Sequence, residues 1–316
     1  MRIGIDAMGG DYAPRVVVQG AIEALEHLSK DSVIVLFGDQ KAIETIIPND
    51  FKQSSQLEIV HCSQVIEMGD HPSKAFKEKS DSSITKGFGS LGRGQIDGFA
   101  SAGSTGAMMV GSMFVVGAID GVMRPTICTP IATTIGTPVV LLDAGLNSDC
   151  KAEVLLQYAV LGNIYARDVV GIAQPRVALL NIGEEPEKGN LLTKAAYQLF
   201  KESQKFTFVG NVEGKHLFDG SVADVIVCDG FAGNTILKQT EGIYAILRAQ
   251  GVSCPWIDKL DYQKVGGTPV LGIRGTVIIG HGHSSALAIK NMILATERTI
   301  AASLVDTFTR AFSEQI

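Results

Sequence analysis

Eight times along this chain a short apolar run, rich in β-branched residues, passes directly into glycine beside Asp, Asn, Ser or His. The first four switches are Ile5-Asp6-Ala-Met-Gly9-Gly10, Leu36-Phe-Gly38-Asp39, Phe99-Ala-Ser101-Ala-Gly103-Ser104-Thr105-Gly106 and Leu142-Asp143-Ala-Gly145. The last four are Leu180-Asn181-Ile-Gly183-Glu184, Val209-Gly210-Asn211, Val227-Cys-Asp229-Gly230-Phe-Ala-Gly233-Asn234 and Ile279-Gly280-His281-Gly282-His283-Ser284. The apolar runs suit strands buried on both faces, and the tails suit turns that leave them. Between them the spacing becomes helical. Behind Pro14 come Val17, Ala21, Ala24, Leu25 and Leu28, and residues 151–167 carry Val154, Leu155, Tyr158, Leu161 and Ile164 on one stripe. Further helices are expected over 191–203 and, to close the chain, over 284–312. Strands alternating with helices of this length predict βα units and a largely parallel sheet flanked by helices. Ligands bind such sheets outside the carboxyl ends of the strands, so the eight exits together predict a binding crevice. Taken singly, each exit also reads as an ordinary turn or helix N-cap.

Composition narrows the function. The 316 residues contain 46% apolar and 19% charged residues, enough for a sizeable core. No Pro- or Ser-rich linker divides them, so the expectation is one two-lobed α/β catalytic unit over 1–316. The 35 glycines form no repeat, which turns attention to tight turns and close backbone approach. A net charge of −6, with no basic run interleaved with aromatics, argues against nucleic acid as partner. Five scattered cysteines without a C-x-x-C pair argue against a disulfide framework or structural zinc and fit a reducing cytosol. A strand-like run begins at Arg2, so no leader peptide is expected before the fold. The apolar stretch 107–119 is too short to span a bilayer and reads as a buried helix.

Individual motifs separate into incidental and informative. Gly87-Phe-Gly89-Ser-Leu-Gly92 fits the dinucleotide pattern, but its strand follows it instead of preceding it, so the match is read as chance. There is no Walker A sequence and no G-x-S-x-G elbow. His281-Gly-His283 lacks a third nearby ligand for zinc, and Cys228 reads as core. Ser101–Gly106 leaves a strand and enters a helix, which makes it a candidate anion site of hydroxyls and backbone N–H groups. Asp6–Asp11 offers a second helix start, whose carboxylates would orient cations or cap backbone donors. Lys188 is a cation just past a strand end, and by itself reads as a solvated loop lysine.

Assembled in order, these segments resemble the bacterial phosphate acyltransferase family (PlsX) across nearly the whole chain. The matching residues are Asp6–Asp11, Lys79–Ser83, Ser101–Gly106, Arg124-Pro125, Leu141–Gly145, Leu179–Gly183, Lys188-Gly-Asn190, Gly210–Glu213, Asp229–Asn234, Lys238–Gly242, Gly266-Gly267 and His281–Ser284. The resemblance implies a two-lobed fold similar to isocitrate and isopropylmalate dehydrogenases and to phosphotransacetylase. It also implies transfer of a long-chain fatty acyl group from acyl-[acyl carrier protein] to inorganic phosphate. The acyl phosphate would feed phospholipid synthesis through a membrane glycerol-3-phosphate acyltransferase. It further implies a homodimer in the cytoplasm, with peripheral contact at the inner membrane face left open, and no cofactor or metal. Two features depart from the family's pattern: Ser104 stands where Asn is usual, and the stretch 243–265 is short where a longer helical insertion serves dimer contacts and membrane docking.

The reaction itself asks for little acid–base machinery, because phosphate is already anionic and a thiolate leaves readily. It asks for orientation and a stabilised oxyanion. On that chemistry Lys188, Asp229 and Asn234 are the candidate catalytic residues. Lys188 and the Ser101–Gly106 loop would hold phosphate, Asn234 would polarise the thioester carbonyl, and Asp229 would orient Asn234 or Lys188. Candidate substrate-binding residues are Asp6, Gly9, Gly10, Ser101, Gly103, Ser104, Thr105, Gly106, Asn181, Asn211, Gly233, Lys238, His281 and Ser284. The helix carrying Met108, Met109 and Met113 is a candidate wall for the acyl chain, and core packing accounts for these methionines equally well. The competing readings are a phosphotransacetylase-like enzyme, an NAD-dependent decarboxylating dehydrogenase and a non-catalytic carrier-binding scaffold.

Overall fold

A computed structural model describes residues 1–313, which divide into two compact units: 1–118 with 262–305, and 119–261 with the residues from 306 onward. The strands are β1 (Arg2–Asp6), β2 (Val33–Gly38), β3 (Leu57–His61), β4 (Gly98–Ser101), β5 (Thr126–Ile131), β6 (Val139–Leu142), β7 (Arg176–Leu180), β8 (Thr207–Val212), β9 (Val225–Val227), β10 (Thr268–Leu271) and β11 (Thr276–Ile279). The helices are α1 (Arg15–Leu25), α2 (Gln40–Ile46), α3 (Pro72–Glu78), α4 (Ser83–Gly92), α5 (Thr105–Gly111), α6 (Ala152–Tyr165), α7 (Leu191–Glu202), α8 (His216–Asp219), α9 (Gly230–Ala249), α10 (Tyr262–Val265), α11 (Ala286–Ala301) and α12 (Leu304–Ser313).

In the first unit the strands run in the order β3-β2-β1-β4-β11-β10. All neighbours are parallel except β10, which pairs antiparallel with β11. The period-two alternation of β1 decides what covers it. Ile3 and Ile5 join one core with Val17 and Ala21 of α1 and Ile289 and Met292 of α11. Gly4 points the other way, where a side chain would strike Phe37 and Phe99. There Phe88 of α4 stands edge-on to Phe99, with ring centroids 5.2 Å apart. The strand is thus buried on both faces, as its uninterrupted apolar sequence requires. The Gly87-x-Gly89 pattern lies inside α4, and Gly87 leaves room for the Phe99 ring. This accounts for that glycine by packing.

The second unit has the order β5-β6-β9-β7-β8, with β5 antiparallel to β6 and the rest parallel. Val139, Leu141, Ala178 and Ile226 form its core with Val212 and Leu217. Leu155, Tyr158 and Leu161 of α6 are fully buried.

The expected helices at 14–28, 151–167 and 191–203 are present as α1, α6 and α7, with α6 continued by a wider turn through Val170. Three expectations are corrected. The closing helix is two, broken at Ser303, whose φ of 50° lies in the left-handed region that no helix interior adopts. The stretch 107–119 is not one buried helix. α5 ends at Gly111, a wide turn follows over 112–116, and Met108 is buried while Phe114 is 80% exposed. Val209-Gly210-Asn211 is no strand exit but lies inside β8, where the register against β7 slips between Val177 and Leu179. Gly210, at φ 98°, supplies the extra residue of that bulge.

Candidate active site

Parallel pairing places the ends of β1, β4 and β11 side by side: Ile5 is opposite Ala100, and Ile279 is opposite Ser101. Asp6, next after Ile5, is 2% exposed and accepts hydrogen bonds from Ser101 Oγ at 2.6 Å and Met8 N at 3.0 Å. Ser101 Oγ in turn accepts from Gly103 N at 2.9 Å. Burial pushes the Asp6 carboxyl above its ordinary range, while the hydrogen bonds from Ser101 and Met8 act in the opposite sense. Gly9 is enclosed here, since a Cβ on it would lie 2.7 Å from Gly103 N and 2.8 Å from Ser101 Oγ. The structure therefore brings Asp6, Gly9, Ser101 and Gly103 into one knot. Asp6 fixes the glycine turns to each other through a serine and does not itself face an open surface.

Beyond the knot, Ser104 caps α5 by accepting from Ala107 N at 3.3 Å. Its own hydroxyl hydrogen is not used by that bond and is free to donate. Thr105 is exposed, and Gly106 packs against Pro72. Gly10 sits against Gly282, whose carbonyl accepts from Asp11 N at 2.8 Å. The ring of His281 lies 4.8 Å from that of Tyr262, and Ser284 Oγ donates to His281 O at 2.6 Å. Ser284, 2% exposed, thus closes the 281–284 turn. A contact that sequence reasoning passed over, His283 Nδ1 with Asp11 Oδ2 at 3.1 Å, joins the same two turns. Both residues stand inside the quoted motifs, so their presence was visible but their pairing was not.

In the second unit, Asn181 Nδ2 donates to Lys188 O at 3.1 Å and Asn211 Nδ2 to Glu185 O at 2.8 Å. These two amides tie down the loop that carries Lys188. The Lys188 ammonium has no acceptor among the described residues, and the side chain is exposed. His216 Nε2 meets Glu184 Oε1 of this loop at 3.1 Å, and its Nδ1 meets Asp219 Oδ2 at 3.1 Å. Burial lowers the His216 pKa, but the bonds to Glu184 and Asp219 outweigh it and leave it raised.

Past β9, Asp229 caps α9 by accepting from Ala232 N at 2.8 Å. Gly233 lies on the Asp143 carbonyl, and Asn234 is exposed beside Gly145. Lys238, one turn on, pairs with Glu241 at 2.8 Å. Cys228 is 4% exposed and burial pushes its thiol well above the ordinary range, which suits core and not a nucleophile. The residue missed here is Asp143, wholly buried and surrounded by N–H donors. Its signal was its place at an exit of the same form as that of Asp6.

In the first unit the hydroxyls at the start of α5 can bind negative charge; in the second an exposed ammonium without an acceptor among the described residues and an exposed amide can do the same, with the buried carboxylates engaged in holding turns. A family model of fatty acid synthesis proteins matches residues 1–250. The phosphate acyltransferase of Dictyoglomus turgidum is 44% identical over 319 residues, covering 95% of this chain and 94% of that protein. The phosphate acyltransferase of Staphylococcus epidermidis is 43% identical over 330 residues, covering 97% and 99%. Among solved structures, a branched-chain phosphotransacylase from Enterococcus faecalis shares the fold, with a TM-score of 0.65 at 14% identity over 95% of this chain and 99% of that one. The EutD phosphotransacetylase of Staphylococcus aureus does likewise, with a TM-score of 0.62 at 15% identity over 95% and 94%. This chain belongs to the phosphate acyltransferase family of fatty acid synthesis proteins.

Proposed function

We propose that this enzyme transfers a long-chain fatty acyl group from acyl-[acyl carrier protein] to inorganic phosphate. The observation that carries the reading is the 44% identity with a phosphate acyltransferase over 95% of the chain. A phosphate oxygen attacks the thioester carbon, forming a C–O bond. The tetrahedral oxyanion then collapses, the C–S bond breaks, and the carrier leaves as thiolate to be protonated by solvent. Ser104 and Thr105 serve as hydroxyl donors to phosphate, in keeping with the free hydrogen of the capping Ser104. Lys188 supplies positive charge to phosphate, in keeping with its unpaired ammonium. Asn234 donates to the developing oxyanion. Asp229 acts on Asn234 through the helix start that it caps. No cofactor or metal takes part in this scheme.

The product is an acyl phosphate suited to a membrane glycerol-3-phosphate acyltransferase, and the enzyme works in the cytoplasm as a homodimer. In keeping with a partner surface, α9 exposes Ile243 and Ile246 and buries only Gly230, Gly233 and Thr240. No described helix is long and apolar enough to cross a membrane. The experiment mixes the protein with acyl-[acyl carrier protein] and phosphate and traps acyl phosphate with hydroxylamine. Phosphate-dependent hydroxamate and carrier thiol are the expected products. Turnover of acetyl-thioesters alone would favour a phosphotransacetylase, and carrier binding without thiol release would favour a scaffold.

A further inference from the structure

We infer that Asp143 is a positioning residue for Asn234, acting through the 143–147 turn. The inference rests on the proposed role of Asn234. Asp143 follows β6 and is 0% exposed. Its Oδ1 accepts from Ile127 N at 3.2 Å, Gly145 N at 3.3 Å and Leu146 N at 3.2 Å. Its Oδ2 accepts from Asn147 N at 2.6 Å and Asn147 Nδ2 at 3.2 Å. One buried carboxylate thus gathers every backbone N–H from 145 to 147 and ties the turn to β5 through Ile127. Hydrogen bonds to a charged acceptor are about twice as strong as neutral ones, so five of them make this turn stiff.

The first turn of α9 is seated on that turn at three points. Gly230 N donates to Asn147 O at 2.8 Å. Gly233 lies so close to the Asp143 carbonyl that no side chain fits between them. Gly145, at φ 128°, touches the Asn234 side chain: a Cβ on it would stand 3.0 Å from Asn234 Cβ and 3.1 Å from Asn234 Oδ1. The direction of the exposed Asn234 amide is therefore set from beneath by a turn whose shape Asp143 dictates. Asp143 is not a catalytic residue, since its oxygens are all engaged below the surface.

Asp143→Asn keeps the side chain's size but turns an NH2 group toward donors on one edge. A misplacement of a reacting group by about 1 Å costs roughly 10²-fold in rate. The test is a cycle of Asp143→Asn, Asn234→Ala and the double variant, reading kcat and phosphate KM by hydroxamate formation and folding by thermal melt. The expected result is a kcat loss of roughly 10²-fold for Asp143→Asn with little change in phosphate KM, and a double variant no slower than Asn234→Ala alone. A double variant whose losses multiply, or a loss confined to KM, overturns the inference and leaves the role of Asn234 standing. An Asn234→Ala enzyme with full activity overturns that role and the inference with it. Should Asp143→Asn not fold, Gly145→Ala replaces it in the same cycle. It strains the turn at its φ of 128° and presses on Asn234 while leaving the carboxylate in place, and the same non-additivity is expected.

Discussion

At the scale of single residues, the side chains divide by what their polar atoms already hold. Asp6, Asn181, Asn211 and Asp229 have partners in the chain: a serine, two loop carbonyls and a helix N–H. Lys188 and Asn234 stand exposed, one with an ammonium that has no acceptor among the described residues and the other near a helix start. This division gives Lys188 a definite expectation. A charge-assisted hydrogen bond is worth about 1.5–3 kcal/mol, so Lys188→Ala should raise the phosphate KM by about tenfold or more, with the melting temperature unchanged. A phosphate titration of initial rates checks it, and unaltered phosphate dependence would remove Lys188 from the proposed phosphate-binding role. Sequence reasoning placed both kinds of residue on one list, because Asp, Asn and Gly after a strand look alike whether they hold a turn or a ligand.

At the scale of elements, the loop carrying Lys188 is attached to α8 by a titrating group. Both ring nitrogens of His216 face carboxylates, Glu184 on the loop and Asp219 on its own helix, so the contact is complete only when the imidazole carries two protons. Lys215, paired with Glu213 and Glu184, is the cation facing it. The folded pKa of His216 lies above the ordinary 6.5. A raised histidine contributes stability that is fully present below the unfolded pKa and is lost as pH rises through the folded one. The melting-temperature difference between wild type and His216→Gln should therefore shrink as pH climbs from about 5.5 to about 8.5. A difference that stays constant over that range would show that protonation of His216 does not hold the loop. Elements also mark where reading the sequence stopped short. The Gly87-x-Gly89 pattern became legible as helix packing only once Phe99 was seen beside it. The expected helix over 284–312 broke at Ser303, a residue whose type gives no warning of a left-handed backbone.

At the scale of the whole molecule, α9 has twenty residues and buries three of them within the chain. A helix that long, with Ile243 and Ile246 outward, is what a partner surface requires. Light scattering of the full chain should return twice the monomer mass, and Ile243→Lys together with Ile246→Lys should lower it toward the monomer. A monomer mass for the unaltered protein would overturn the proposed homodimer.

The sequence by itself determined the class of fold, seven of the eight strand exits and the family. Short apolar, β-branched runs that end in glycine turns suit strands covered on both faces, and a long ordered series of motifs does not depend on knowing where the residues lie in space. It could not say which polar residue at an exit faces solvent and which is buried. That depends on partners far away in the chain, such as Ser101 for Asp6 or Ile127 for Asp143, and on the small clearances between Gly145 and Asn234. Hydrogen bonds between turns and contacts below 4 Å are set by packing, so only the tertiary structure could tell the carboxylates that hold the turns from the groups left free to meet a substrate.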